Sequence, residues 1–119
     1  MTAVETRSEI IDTVRDYFEG WYDGDATRME RALHPSLAKR APEGESLDET
    51  SAEWMIDATA RGAGKRGDPE ERRLEIAVVD VYDRIATATA RGPIYIEYLH
   101  LVRMPDGWRI VNALWEPAP

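Results

Sequence analysis

Apolar side chains recur as Ile10, Ile11, Val14, Tyr17, Phe18, Trp21 and Tyr22. The spacing i, i+1, i+4, i+7, i+8, i+11, i+12 makes one wide stripe down a helix. Thr6 with Glu9 three residues later fits a capping box, and Gly24 fits a left-handed stop. Asp25 then reads as the N-cap of a short second helix, ATRMERAL, with Met29, Ala32 and Leu33 turned inward. His34-Pro35 ends it, because the residue before a proline avoids helical backbone. The stretch APEGESLDE reads as a loop. A third helix starts near Thr50 or Ser51, carries Trp54, Met55, Ala58 and Arg61, and is broken by Gly62, Gly64 and Gly67. GAGKRGDP lacks the Lys-Ser or Lys-Thr pair of a phosphate loop and reads as a flexible connector.

From Arg72 onward the period changes from that of a helix to that of strands. RLEIAVVDVY, IATATARG, YIEYLHLVRM and WRIVNALWE are rich in β-branched and aromatic residues. Asp83-Arg84, Gly92-Pro93 and Pro105-Asp106-Gly107 punctuate them as turns. Helices first and an antiparallel meander afterwards predict an α+β class, with about three N-terminal helices on one face of the sheet.

The last two strands hold two polar residues among aliphatic ones, His100 and Asn112. Alternate side chains share a face. If the hairpin closes around Pro105-Asp106-Gly107, Met104 meets Trp108, Val102 meets Ile110, His100 meets Asn112, and Tyr98 meets Leu114. The pair would then sit on an apolar face that begins with Trp108. Buried polar groups need partners. Two readings are open: the pair satisfies itself in a core or dimer interface, or it lines a cavity beneath the helices and meets a ligand. The other face carries Leu99, Leu101, Val111, Ala113 and Trp115. Three helices do not cover both faces, so this outer face is expected to form a homodimer.

Length and charge narrow the function. The 119 residues match one domain, 1–119, with one core. The net charge of -8, from 23 acidic and 15 basic residues, opposes nucleic-acid and anionic-lipid binding. There is no cysteine, hence no disulfide or thiolate metal site, which fits a cytoplasmic protein. No signal peptide or bilayer-length apolar run is evident. His34 and His100 stand apart from any spaced acidic cluster, so no metal is expected, and no cofactor motif is found.

The order of elements, with Tyr95-Ile96-Glu97-Tyr98-Leu99-His100-Leu101, Asp106-Gly107-Trp108-Arg109-Ile110-Val111-Asn112 and Trp115, resembles the nuclear transport factor 2-like superfamily. That group includes the SnoaL-like polyketide cyclases and the ketosteroid isomerases, and the pattern is most similar to the putative lumazine-binding family. The resemblance implies a cone, a curved, mainly antiparallel sheet of cystatin-like type wrapped around the helices. It also implies frequent dimers and a pocket for a small organic molecule. Enzymes of the group use an Asp or His in the cone as acid or base, which makes His100, Asp57 and Glu97 the candidates here. The expected pocket residues are Tyr17, Trp21, Trp54, Tyr98, His100, Trp108 and Asn112. Three functions remain open. They are a binding protein for a small molecule, an isomerase, cyclase or dehydratase moving a proton, and a dimeric structural module with a filled core.

Overall fold

The change of period near residue 72 divides the chain only in part. The computed structural model describes residues 2–119. The elements run α1 (Ala3–Asp23), α2 (Ala26–Ala32), β1 (Leu33–Glu43), β2 (Ser46–Thr50), α3 (Ala52–Ala60), β3 (Glu75–Tyr82), β4 (Ile85–Arg91), β5 (Tyr95–Met104) and β6 (Gly107–Pro117). The six strands form one curved sheet in the order β2-β1-β6-β5-β4-β3. The meander β3 to β6 is antiparallel, as its alternation and turns predict, while β1 lies parallel to β6. The class is therefore α+β, with helices against one face of a mixed, mostly antiparallel sheet. No described helix is long and apolar enough to cross a membrane.

The helix ends follow local chemistry. Asp25 accepts the Arg28 N–H and Ser51 accepts the Trp54 N–H, each as an N-cap. Gly24 ends α1 with φ of 67°. The cap of α1 is Thr2, which accepts the Glu5 N–H at 3.1 Å, and not Thr6. Thr2-Ala3-Val4-Glu5 repeats the same Thr-x-x-Glu signature one turn earlier, outside the apolar stripe.

Residues 41–49, expected as a loop, belong to the β1–β2 hairpin, with Gly44 at its tip in the left-handed region. Pro35 falls between Leu33 and Ala38, where the pairing of β1 with β6 is interrupted, so its missing N–H removes no ladder bond. β2 is an edge strand and almost wholly exposed, which leaves it no apolar signature. The glycine-rich connector is packed at Gly64, while its end from Gly67 to Pro69 is exposed. A Cβ on Gly64 would lie 2.1 Å from the Trp21 indole, and the Arg66 N–H donates to the Tyr22 carbonyl.

The core lies between α1 and the concave sheet face. Ile10, Val14 and Phe18 pack with Leu99, Leu101, Ile110 and Ala113, while Ala86, Ala88 and Ala90 keep β4 shallow. This corrects the expectation that Leu99, Leu101, Ala113 and Trp115 form a free outer face: they point toward the helices.

The reason is a bulge. Tyr98 pairs with Leu114 and His100 with Asn112, as the turn geometry predicts, but Leu101 then pairs with Ile110. Val111 is the extra residue on β6. One added residue inverts the parity of every side chain beyond it. Trp108 and Ile110 therefore face inward, while Asn112 and Leu114, of the same parity in sequence, face outward.

Candidate functional site

The concave face holds two charged side chains among apolar ones. On β1, Leu37, Lys39 and Ala41 alternate inward, and on β5, Glu97 shares its face with Leu99 and Leu101. Lys39 is 8% exposed and Glu97 2%. Tyr17, from the third turn of the α1 stripe, comes between them. The Lys39 Nζ donates to the Tyr17 Oη, and the Tyr17 hydroxyl donates to the Glu97 Oε1 at 2.8 Å. The Lys39 Nζ also lies 3.8 Å from the Glu97 Oε2. The result is a buried chain from amine to phenol to carboxyl.

This chain borders a cavity of about 160 Å3. Phe18, Trp21, Met55, Tyr95 and Trp115 form its walls. Asp48, Thr50 and Trp54, contributed by β2 and α3, stand at its mouth, and Trp54 is 48% exposed. The aromatic walls are fixed by mutual contacts. Trp21 Nε1 donates to the Tyr95 Oη at 3.0 Å, Tyr95 stacks on Tyr22 at 6.3 Å between centroids, and Tyr95 meets Trp115 edge to face. The Lys39 Nζ sits 5.0 Å from the centre of the Tyr17 ring and 5.2 Å from that of Trp115.

Burial governs the electrostatics. Loss of solvent raises the Glu97 carboxyl above its ordinary range, against the lowering pull of Lys39 and the Tyr17 hydrogen bond. Burial likewise lowers the Lys39 ammonium, against the raising pull of Glu97. The Tyr17 phenol is pushed well up, first by burial and then by Glu97. Desolvation thus favours the uncharged forms of amine and carboxyl, while the ring faces and the 3.8 Å approach favour the ion pair. The Tyr17 hydroxyl stands between the two and bonds to both.

The site residues expected from sequence divide sharply. Tyr17, Trp21, Trp54 and Glu97 line the cavity. His100 and Asn112 do contact each other, with Asn112 Nδ2 3.3 Å from His100 Nδ1, but on the exposed outer face. The expectation that they look into a hollow beneath the helices is corrected, and the Val111 bulge is the cause. Tyr98 shares that outer face, half exposed. Trp108 is buried in the core at the other end of β6, outside the cavity, with no partner for its Nε1 among the described residues. Asp57 is exposed on α3. Lys39, Trp115, Tyr95 and Met55 were missed. Lys39 carried a usable signal, one lysine in phase with Leu37 and Ala41, once 33–43 is taken as a strand.

The family model described as putative lumazine-binding matches residues 5–116. No curated protein matches the chain. Among solved structures, a nuclear transport factor 2-like protein of unknown function from Silicibacter pomeroyi is 20% identical. It superposes with a TM-score of 0.77, covering 98% of this chain and 99% of that one. A nuclear transport factor 2-like protein of unknown function from Shewanella baltica is 16% identical, with a TM-score of 0.73, covering 100% of this chain and 98% of that one. A protein from Streptomyces avermitilis, described as a putative dehydratase of the same family, is 13% identical with a TM-score of 0.64, covering 99% of each chain. At these identities the likeness establishes the fold.

Proposed function

Given that the chain belongs to the putative lumazine-binding family, within the nuclear transport factor 2-like superfamily, we propose that it binds a small cyclic organic molecule in the aromatic cavity between α1, α3 and the sheet. The carrying observation is the Lys39–Tyr17–Glu97 chain at the inner end of that cavity. A core filled by its own side chains gains nothing from three desolvated polar groups, because apolar residues there would be as stable or more so. Groups of this kind beside an apolar space are what orients a ligand. The volume resembles that of an engineered cavity of about 150 Å3 that binds benzene. It suits one substituted ring, with any remainder leaving past Trp54. The absence of cysteine is consistent with a cytoplasmic setting.

The experiment is a thermal-shift screen of small aromatic and heteroaromatic rings against wild type, Trp115→Ala and His100→Ala. The proposal expects saturable stabilisation by at least one ring class, lost in Trp115→Ala and kept in His100→Ala. Stabilisation lost in His100→Ala and kept in Trp115→Ala would place the ligand on the outer face and refute the site.

A second reading rests on Glu97 itself. A buried carboxyl drawn toward neutrality and hydrogen-bonded to a tyrosine is suited to move a proton, as in an isomerase, cyclase or dehydratase. The description of the Streptomyces avermitilis structure agrees with this. Catalysed exchange of ligand C–H protons in heavy water, abolished by Glu97→Gln with binding retained, is the result that would establish it.

The same proposal includes a second copy of the chain. The outer face presents Tyr82, Ile85, Tyr98 and Leu114 exposed, with Thr87, His100 and Asn112 between them. In a chain of net charge -8, a partly apolar sheet face whose Asp80 is offset by Arg40 and Arg91 is a surface on which two copies meet with little repulsion.

A further inference from the structure

We propose that Lys39 is a nucleophilic amine and that the cavity takes carbonyl compounds, aldehydes or ketones carried on a small ring, which it holds as an imine. This rests on the binding reading above and adds the reactive group. Lys39 and Lys65 are the two lysines of the chain. Lys65 lies on the connector, where its aliphatic stem covers Gly24 and Gly62. Lys39 alone of the two lines the cavity, on a strand that places it with Leu37 and Ala41.

Three features fit the chemistry. One N–H of Lys39 is engaged by the Tyr17 Oη, so the neutral amine keeps a lone pair that is free to face the cavity. Burial favours that neutral form. The third is the Tyr17–Glu97 relay, which can hand a proton to the carbonyl oxygen and recover it. The Lys39 nitrogen attacks the carbonyl carbon and forms a C–N bond as the oxygen takes up a proton. The carbinolamine then loses water as its C–O bond breaks. Both amine protons leave with that oxygen, and the imine remains. No oxidant or reductant is needed. Trp115 and the Tyr17 ring, each about 5 Å from Nζ, border the space in which an aromatic substituent would stack.

Benzaldehyde with sodium cyanoborohydride, followed by peptide mass mapping, tests the proposal on the intact protein. The inference expects one benzyl group at Lys39, in at least about tenfold preference to Lys65, because a positioned amine gains effective concentration. Excess benzyl alcohol, the non-carbonyl analogue, should suppress it. Tyr17→Phe should slow labelling by a larger factor than it weakens benzyl alcohol binding, followed by tryptophan fluorescence; an equal loss in both would show that Tyr17 only helps to hold the ring. Labelling spread over Lys65 and the N-terminus alongside saturable benzyl alcohol binding would overturn the inference and leave the pocket standing. Absence of both would overturn the pocket as well. Because the competition arm uses wild type, the outcome does not depend on whether a Lys39 variant folds.

Discussion

Glu97 has an apolar strand on one side and Lys39 and Tyr17 on the other, so its cost and its use have the same origin. Removing one partner of a buried charged pair strands the other. Glu97→Ala is therefore expected to lower stability by about 3 kcal/mol in urea unfolding. The double variant Lys39→Met/Glu97→Gln, which leaves Tyr17 an acceptor and no buried amine, should recover most of that loss. A double variant as unstable as the sum of Lys39→Met and Glu97→Gln taken singly would show that Lys39 and Glu97 are not coupled. Asp16 tests the surface in the same way. Burial would raise its carboxyl, but hydrogen bonds from Arg31 and Arg28 outweigh that and hold it below 3.8. Arg31 is largely exposed, and solvent screens the pairs, so Asp16→Asn should cost about 1 kcal/mol at neutral pH. A lowered carboxyl contributes fully above pH 3.8 and loses that contribution as pH falls through its folded value. The gap between wild type and Asp16→Asn should thus be smaller at pH 3 than at pH 7 in parallel urea titrations.

At the scale of elements, the connector after α3 ties the site to the fold. Gly64 lies against the Trp21 indole, and Trp21 holds Tyr95. A methyl at Gly64 cannot fit unless the indole turns away, so Gly64→Ala should destabilise by about 2 kcal/mol. The same change should shift tryptophan emission and weaken any cavity ligand; wild-type ligand affinity in Gly64→Ala would disprove the coupling. The strand grammar shows what was legible. Periodicity located α1 and the meander β3–β6, because each has a clean 3.6- or 2-residue repeat. It did not locate β1 or β2, where two prolines and an exposed edge erase the repeat, and with β1 went Lys39. It placed His100 opposite Asn112 correctly but on the wrong face, because the bulge at Val111 leaves no local mark in an apolar run. Glu97 could be found, being one carboxylate in phase with Leu99 and Leu101.

At the scale of the molecule, the two faces of the sheet differ. The concave face holds the core and the cavity, and the convex face carries the contact proposed with another copy. A stable pair needs about 800 Å2 from each partner. Light scattering after size exclusion should report twice the chain mass at micromolar concentration, and Leu114→Glu, in the middle of the outer face, should return it to one. A wild-type monomer would remove the dimer without touching the cavity. Amide chemical-shift mapping with the fragment that most stabilises the protein separates the two faces most directly. Ligand-dependent shifts are expected to gather at Tyr17, Lys39, Tyr95, Glu97 and Trp115 and to leave Thr87, His100 and Asn112 still. Shifts centred on His100 and Asn112, with Lys39 and Glu97 silent, would contradict the account.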